Sequence, residues 1–166
     1  MMAIGSEQLR DVMRHWTTGV TIVSSSYEGI QHGMTVSSFT SVSLDPPLVL
    51  VSLERKTRTH ELVTLSGFFG VTILSEQQQE VSDRFAGRHT ELLDRFAGLN
   101  THTLVSGVPF LEGGLAFLDC KVVWNYEAAT NTLFIGEVMD AQPQASNSMV
   151  RFPLLYHNRA YHKMCA

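Results

Sequence analysis

Asp45-Pro46-Pro47 separates a hydroxyl-rich run from an unbroken apolar one, and this junction constrains the chain more than any other segment. Neither proline can donate to a β-ladder, so the corner is expected to break strand pairing. The Leu48–Leu53 run after it is apolar on both faces, which suits a closed barrel wall or a subunit interface. The run before it, from Gly33 to Ser43, offers hydroxyls and freed backbone N–H groups. These can hydrogen-bond an anionic or heteroaromatic ligand, with the apolar strand as a rigid wall beside them.

Around this junction the hydrophobic periods predict mostly strands. Ser6 is placed to cap a helix with Leu9, Val12, Met13 and Trp16 on its apolar face, ended by Gly19. Val20–Ser25 is a strand, Tyr27-Glu28-Gly29 a turn, and Ile30–Thr35 the second arm of a hairpin. A short helix is expected over Thr59–Leu65 and a strand over Gly67–Leu74. Ser75-Glu76-Gln77-Gln78 has a capping-box pattern that opens a helix running to Phe85. Gly87–Gly107 shows no strong period and reads as a long, partly helical excursion. Ala116, Leu118, Cys120, Val122, Trp124 and Tyr126 alternate with a more polar set, so Leu115–Tyr126 is a half-buried strand. Ala128–Asn131 turns it into Thr132–Met139, Pro143–Asn147 is a polar loop, and Leu154–Tyr161 closes the chain. Hairpin-joined strands with few, peripheral helices make the fold mainly β, an antiparallel barrel in one domain over residues 1–166.

Composition narrows the function. A net charge of −4 with no block of like charges gives no support to a nucleic-acid or membrane partner. Apolar runs fall far short of a membrane span, and the N-terminus lacks a signal-peptide pattern. Two cysteines are too few for a disulfide framework, so a reducing, cytoplasmic setting is expected. Charged residues are only 17% of the chain, which suggests that a partner subunit covers some surface. No Ser-His-Asp frame, paired carboxylates or G-x-G-x-x-G loop is present, so no catalytic acid, base or nucleophile is assigned. His157 and His162 are five apart with no third ligand near, so no metal site is expected.

The Gly33–Leu53 segment, with Ser82-Asp83-Arg84-Phe85-Ala86-Gly87 and Leu154-Leu155-Tyr156-His157, resembles the short-chain flavin reductase family. These are reductase components of two-component flavin monooxygenases, and the resemblance runs from about Leu9 to Tyr161. It implies a split, Greek-key-like β-barrel of FMN-binding type that dimerises and binds FMN or FAD near the subunit interface. By the same resemblance, Gly33, Met34, Thr35, Val36, Ser37 and Ser38 hold the flavin ring edge and ribityl chain. Val51, Ser52 and Leu53 face its pyrimidine and reactive nitrogen. Lys56, Thr57 and Arg58 lie at its phosphate, where cations and N–H groups at a helix N-terminus also suit an anion. Arg84, Phe85 and Ala86 stand at the ribityl and adenine side, with His157 and Tyr161 close to the flavin. Each has a plainer reading: a self-satisfied turn, an interior strand, a solvated loop or a helix C-terminus.

One position departs from the family pattern. Many members carry a Gly-Asp-His turn before an Ile-Phe-Ile-Gly-Glu-Val strand, and that histidine is linked to nicotinamide binding. Here Ala129-Thr130-Asn131 precedes Leu133-Phe134-Ile135-Gly136-Glu137-Val138. Asn131 can still hydrogen-bond a carboxamide, and it also suits a turn. The expected activity is that of an NAD(P)H:flavin oxidoreductase, a homodimer feeding reduced flavin to a separate oxygenase. The alternatives are a flavin-binding or electron-transfer protein of the same fold without efficient nicotinamide turnover, and a flavin-independent module.

Overall fold

The computed structural model describes residues 4–89, 94–144 and 151–164. Among the described residues three helices and twelve strands follow one another. These are α1 (Ser6–Met13), β1 (Thr18–Gly19), β2 (Thr21–Tyr27), β3 (Ile30–Val36), β4 (Thr40–Leu44) and β5 (Pro47–Glu54). Next come α2 (Arg58–Ser66), β6 (Phe68–Ile73), α3 (Gln79–Phe85), β7 (Thr101–Thr103) and β8 (Pro109–Leu111). The long β9 (Ala116–Ala128) and β10 (Asn131–Pro143) precede β11 (Leu155–His157) and β12 (Ala160–His162). The fold is mainly β and antiparallel, as expected from the sequence.

Seven strands form the main sheet in the order β3-β2-β6-β9-β10-β5-β4. Its two edges, β3 and β4, are consecutive in the chain and joined only by residues 37–39. Four peptide steps span about 14 Å at most, so the sheet must curl until its edges nearly meet. No ladder closes between them, and the barrel is split at this seam. Inside it pack Val23, Val49, Val51, Leu53, Phe69, Val71, Cys120 and Phe134. Burial first, and then the nearby Asp119 charge, push the Cys120 thiol pKa well above its ordinary value, so it stays protonated.

Several local expectations are corrected. Asp45-Pro46 does not break pairing. It is a two-residue turn with a cis peptide bond, and Leu44 pairs with Pro47 across it. The hydroxyl run beyond Phe39 is thus itself a strand, β4. The apolar run after the corner alternates: Val49, Val51 and Leu53 are buried, while Leu48, Leu50 and Ser52 are only half-buried outside. Gly5 rather than Ser6 is the N-cap of α1, and the helix stops at Met13, before Gly19, which pairs in β1. The box residues Ser75 and Gln78 do meet, with Ser75 N–H donating to Gln78 Oε1 at 3.0 Å, but they form a buried turn and α3 begins only at Gln79. The described part of Gly87–Gly107 holds turns and β7, and no helix. In β9 the fully buried residues include Asp119, from the set read as polar, while Trp124 and Tyr126 are exposed. Ser106 satisfies Asp119, its N–H and O–H donating at 2.7 and 2.6 Å. Pro143 still belongs to β10, and the rest of the expected loop lies largely outside the described residues.

Candidate flavin site at the barrel seam

On the β3 side of the seam, four separate segments gather around one cavity of about 450 Å³. Met34 and Thr35 come from β3, Thr57 and Arg58 from the start of α2, and Phe85 and Ala86 from the end of α3. All six were singled out from the sequence. Three further wall residues were not: His32, Glu54 and Arg95. The size suits a small-molecule ligand; half-buried Met34 gives an apolar face, and buried Phe85 backs the wall from the core. Thr57 is held as the N-cap of α2, its hydroxyl accepting from His60 N–H at 3.3 Å and donating to the Glu54 carbonyl at 2.7 Å. Arg58 pairs with Glu61 one turn along the same helix.

Arg95 fastens the excursion to this wall. Its Nη1 donates to the carbonyls of Gly33 (3.0 Å) and Phe85 (2.8 Å). Burial lowers its pKa, which leaves a guanidinium charged at neutral pH. Gly33 lies so close to Phe85 that an added Cβ would stand 2.8 Å from the ring. His32 shares a hydrogen bond with Thr59 Oγ1 at 2.8 Å. Burial, then Arg95 and Arg58, lower its pKa to about 4, so the ring is neutral at pH 7.

A smaller cavity of about 180 Å³ adjoins the first and shares Thr35 and Ala86 with it. Val36, Ser37 and Tyr161 also line it. Tyr161 O–H meets Ser82 Oγ at 2.8 Å, and Thr35 Oγ1 donates to the Ser82 carbonyl at 2.6 Å. The Arg88 guanidinium lies 5.6 Å from the Tyr161 ring centre. Burial raises the Tyr161 pKa.

Other singled-out residues stand differently. Val51 and Leu53 point into the core, so only Ser52 of that triplet faces outward. Ser38 Oγ donates to the Ser52 carbonyl at 2.8 Å, a stitch across the seam. Lys56 is exposed over a neighbouring hollow beside α2, which shares Thr57 and Arg58 with the candidate cavity. Arg84 is spent on the excursion, with Nη2 donating to the Ala97 carbonyl at 2.6 Å. His157 lines none of these cavities, and its carbonyl accepts from His162 Nε2 at 3.2 Å. Asn131 Nδ2 donates to Ser52 Oγ at 3.0 Å, while its Oδ1 accepts from Thr130 at 3.1 Å. The amide therefore locks β10 onto β5.

Residues 13–164 match the family model described as flavin reductase like domain. The chain is 38% identical over 160 residues to the NADH-dependent flavin reductase StyB of Pseudomonas fluorescens, covering 96% of this chain and 90% of that protein. It is 35% identical to the reductase component of 4-nitrophenol 4-monooxygenase/4-nitrocatechol 2-monooxygenase from Rhodococcus opacus, covering 95% and 80%. The solved NADH:FAD oxidoreductase SgcE6 of Streptomyces globisporus C-1027, in complex with NAD and FAD fragments, superposes with a TM-score of 0.86 at 31% identity. That match covers 99% of this chain and 98% of the other. Sequence, fold and seam together thus make this chain a member of the flavin reductase family.

Proposed function

We propose that this protein is an NAD(P)H:flavin oxidoreductase that reduces FMN or FAD and releases it to a separate flavin-dependent monooxygenase. The observation that carries this reading is the convergence of Met34, Thr35, Thr57, Arg58, Phe85 and Ala86 on one cavity at the seam. Of the relatives named above, StyB is an NADH-dependent flavin reductase, SgcE6 an NADH:FAD oxidoreductase, and the Rhodococcus opacus protein the reductase component of a monooxygenase.

The flavin would supply the hydride acceptor, and the nicotinamide the donor. The chain's own task is to hold and orient. Met34 would lie against the ring with Phe85 behind it, the Thr35 and Thr57 hydroxyls would face the polar edge, and Arg58 with Arg95 would balance the phosphate. Neutral His32 adds no charge to that wall, and no side chain is assigned a proton transfer. Mixing protein, flavin and NADH and following the nicotinamide absorbance tests the reading. NADH is expected to be consumed only when flavin is present. Flavin binding without NADH loss overturns it.

We assign a homodimer on the outer face of the β9-β10-β5 wall. Leu133 pairs with both Tyr126 and Ser52, and Ile135 with both Trp124 and Leu50, so an apolar strip crosses three strands outside the core. Light scattering should return twice the chain mass. A stable monomer with full flavin affinity overturns it. Among the described residues no helix is long and apolar enough to cross a membrane. The reducing cytoplasm, which holds NADH, is the compartment assigned here.

A further inference from the structure

We propose that Arg95 is a positioning residue for the flavin ring: by tying the Gly33 and Phe85 carbonyls to one guanidinium nitrogen, it sets the gap between β3 and α3 that admits the ring. This role is separate from any counter-charge Arg95 gives a phosphate. That the ligand is a flavin rests on the function proposed above.

This wall is built on a repeated motif. Asp83-Arg84-Phe85-Ala86-Gly87 recurs without change as Asp94-Arg95-Phe96-Ala97-Gly98. In the fold the two copies grip each other. Arg84 Nη2 donates to two carbonyls of the second copy, Ala97 at 2.6 Å and Asp94 at 3.3 Å. Arg95 Nη1 returns the grip, donating to the Phe85 carbonyl of the first copy at 2.8 Å. The two phenylalanines are buried and meet edge-on between the arginines. Both copies end in a glycine with left-handed backbone, Gly87 at φ +77° and Gly98 at φ +73°.

The clasp is reciprocal but not symmetric. Both Arg84 bonds end in the excursion. Arg95 reaches a third segment as well, donating at 3.0 Å to Gly33 on the edge strand β3, and it lines the cavity, which Arg84 does not. Gly87 makes room for it. A Cβ at Gly87 would stand 3.0 Å from Arg95 Nη2, whereas one at Gly98 would meet nothing within 4 Å. The carbonyls that Arg95 holds adjoin the cavity walls directly: Met34 follows Gly33 in β3, and Ala86 follows Phe85. A rigid, planar guanidinium donating from one nitrogen to both cannot move toward one without stretching its bond to the other. It therefore fixes the spacing of the two segments, and a ligand site needs its walls held to about 0.5 Å.

Fluorescence titration with riboflavin and FMN tests this role, since riboflavin has the ring and ribityl chain but no phosphate. Arg95→Met keeps an apolar stem and removes the donors. It should weaken riboflavin by about tenfold, and FMN by at least as much. Arg84→Met removes the matching grip and should lower Tm as far as Arg95→Met does, by about 5 °C, with riboflavin affinity held within about twofold. Gly87→Ala keeps the arginine but crowds its guanidinium, and should weaken riboflavin by about threefold; it decides the matter if Arg95→Met does not fold. Weaker FMN with unchanged riboflavin in Arg95→Met would make Arg95 a phosphate counter-charge and overturn the positioning role. Equal riboflavin losses in Arg84→Met and Arg95→Met would trace the effect to a loosened clasp and overturn it too. Either failure, in a protein that still oxidises NADH with flavin, leaves the reductase reading standing. Absence of flavin binding in the unaltered protein would overturn both.

Discussion

Phe85→Ala is expected to lower the unfolding free energy by about 3–5 kcal/mol and to abolish flavin binding. Phe85 is 1% exposed and meets Phe96 edge-on, with ring centres 4.9 Å apart. The same ring fills the space beside Gly33, and its own carbonyl is one of the two that Arg95 holds. Truncation therefore empties a core position and slackens a cavity wall together. Domains of this kind have about 5–15 kcal/mol to lose, so a folded population should remain for titration. Urea unfolding followed by circular dichroism measures the first effect, and flavin fluorescence quenching the second. Unaltered flavin affinity would place the ring binding away from this wall.

Gly136→Val is expected to cost about 3 kcal/mol, although valine is the better strand former. Gly136 pairs with Val49 on one side and Val122 on the other. A Cβ there would stand 2.5 Å from Phe69 Cζ and 2.9 Å from Cys120 Cβ, both on fully buried residues. Neither neighbour has free space to retreat into. The urea midpoint should fall with the slope unchanged, the sign of lost packing without lost compactness. A neutral result would mean that the ladder irregularity between Ile135 and Gly136 absorbs the added volume.

What the sequence revealed and concealed follows from how far each signal reaches. The β2–β3 and β9–β10 hairpins were legible because β-branched runs and their turn residues are local. The β4 strand was not, since its hydroxyls read equally well as ligand contacts. Its partner β5 is legible, but the family resemblance turns Val51 and Leu53 toward the ligand, whereas alternation turns them inward. In the candidate site, Met34, Thr35, Thr57, Arg58, Phe85 and Ala86 lie in segments that carry the family pattern. Arg95 and His32 lie outside those segments, and only packing between distant parts of the chain brings them to the wall.

The stitched but unladdered seam has a consequence for how this protein opens. Amides on the outer edges of β3 and β4 have no strand partner across the gap, so they need only local fluctuation to exchange with solvent. Amides of β6 and β9, paired on both sides, need something close to global unfolding. Hydrogen exchange should therefore divide the sheet into a slow centre and two fast margins. The β3 margin belongs to the candidate ligand wall, so binding there would slow exchange at one of the two places where the sheet is otherwise most permeable and leave the β4 margin fast.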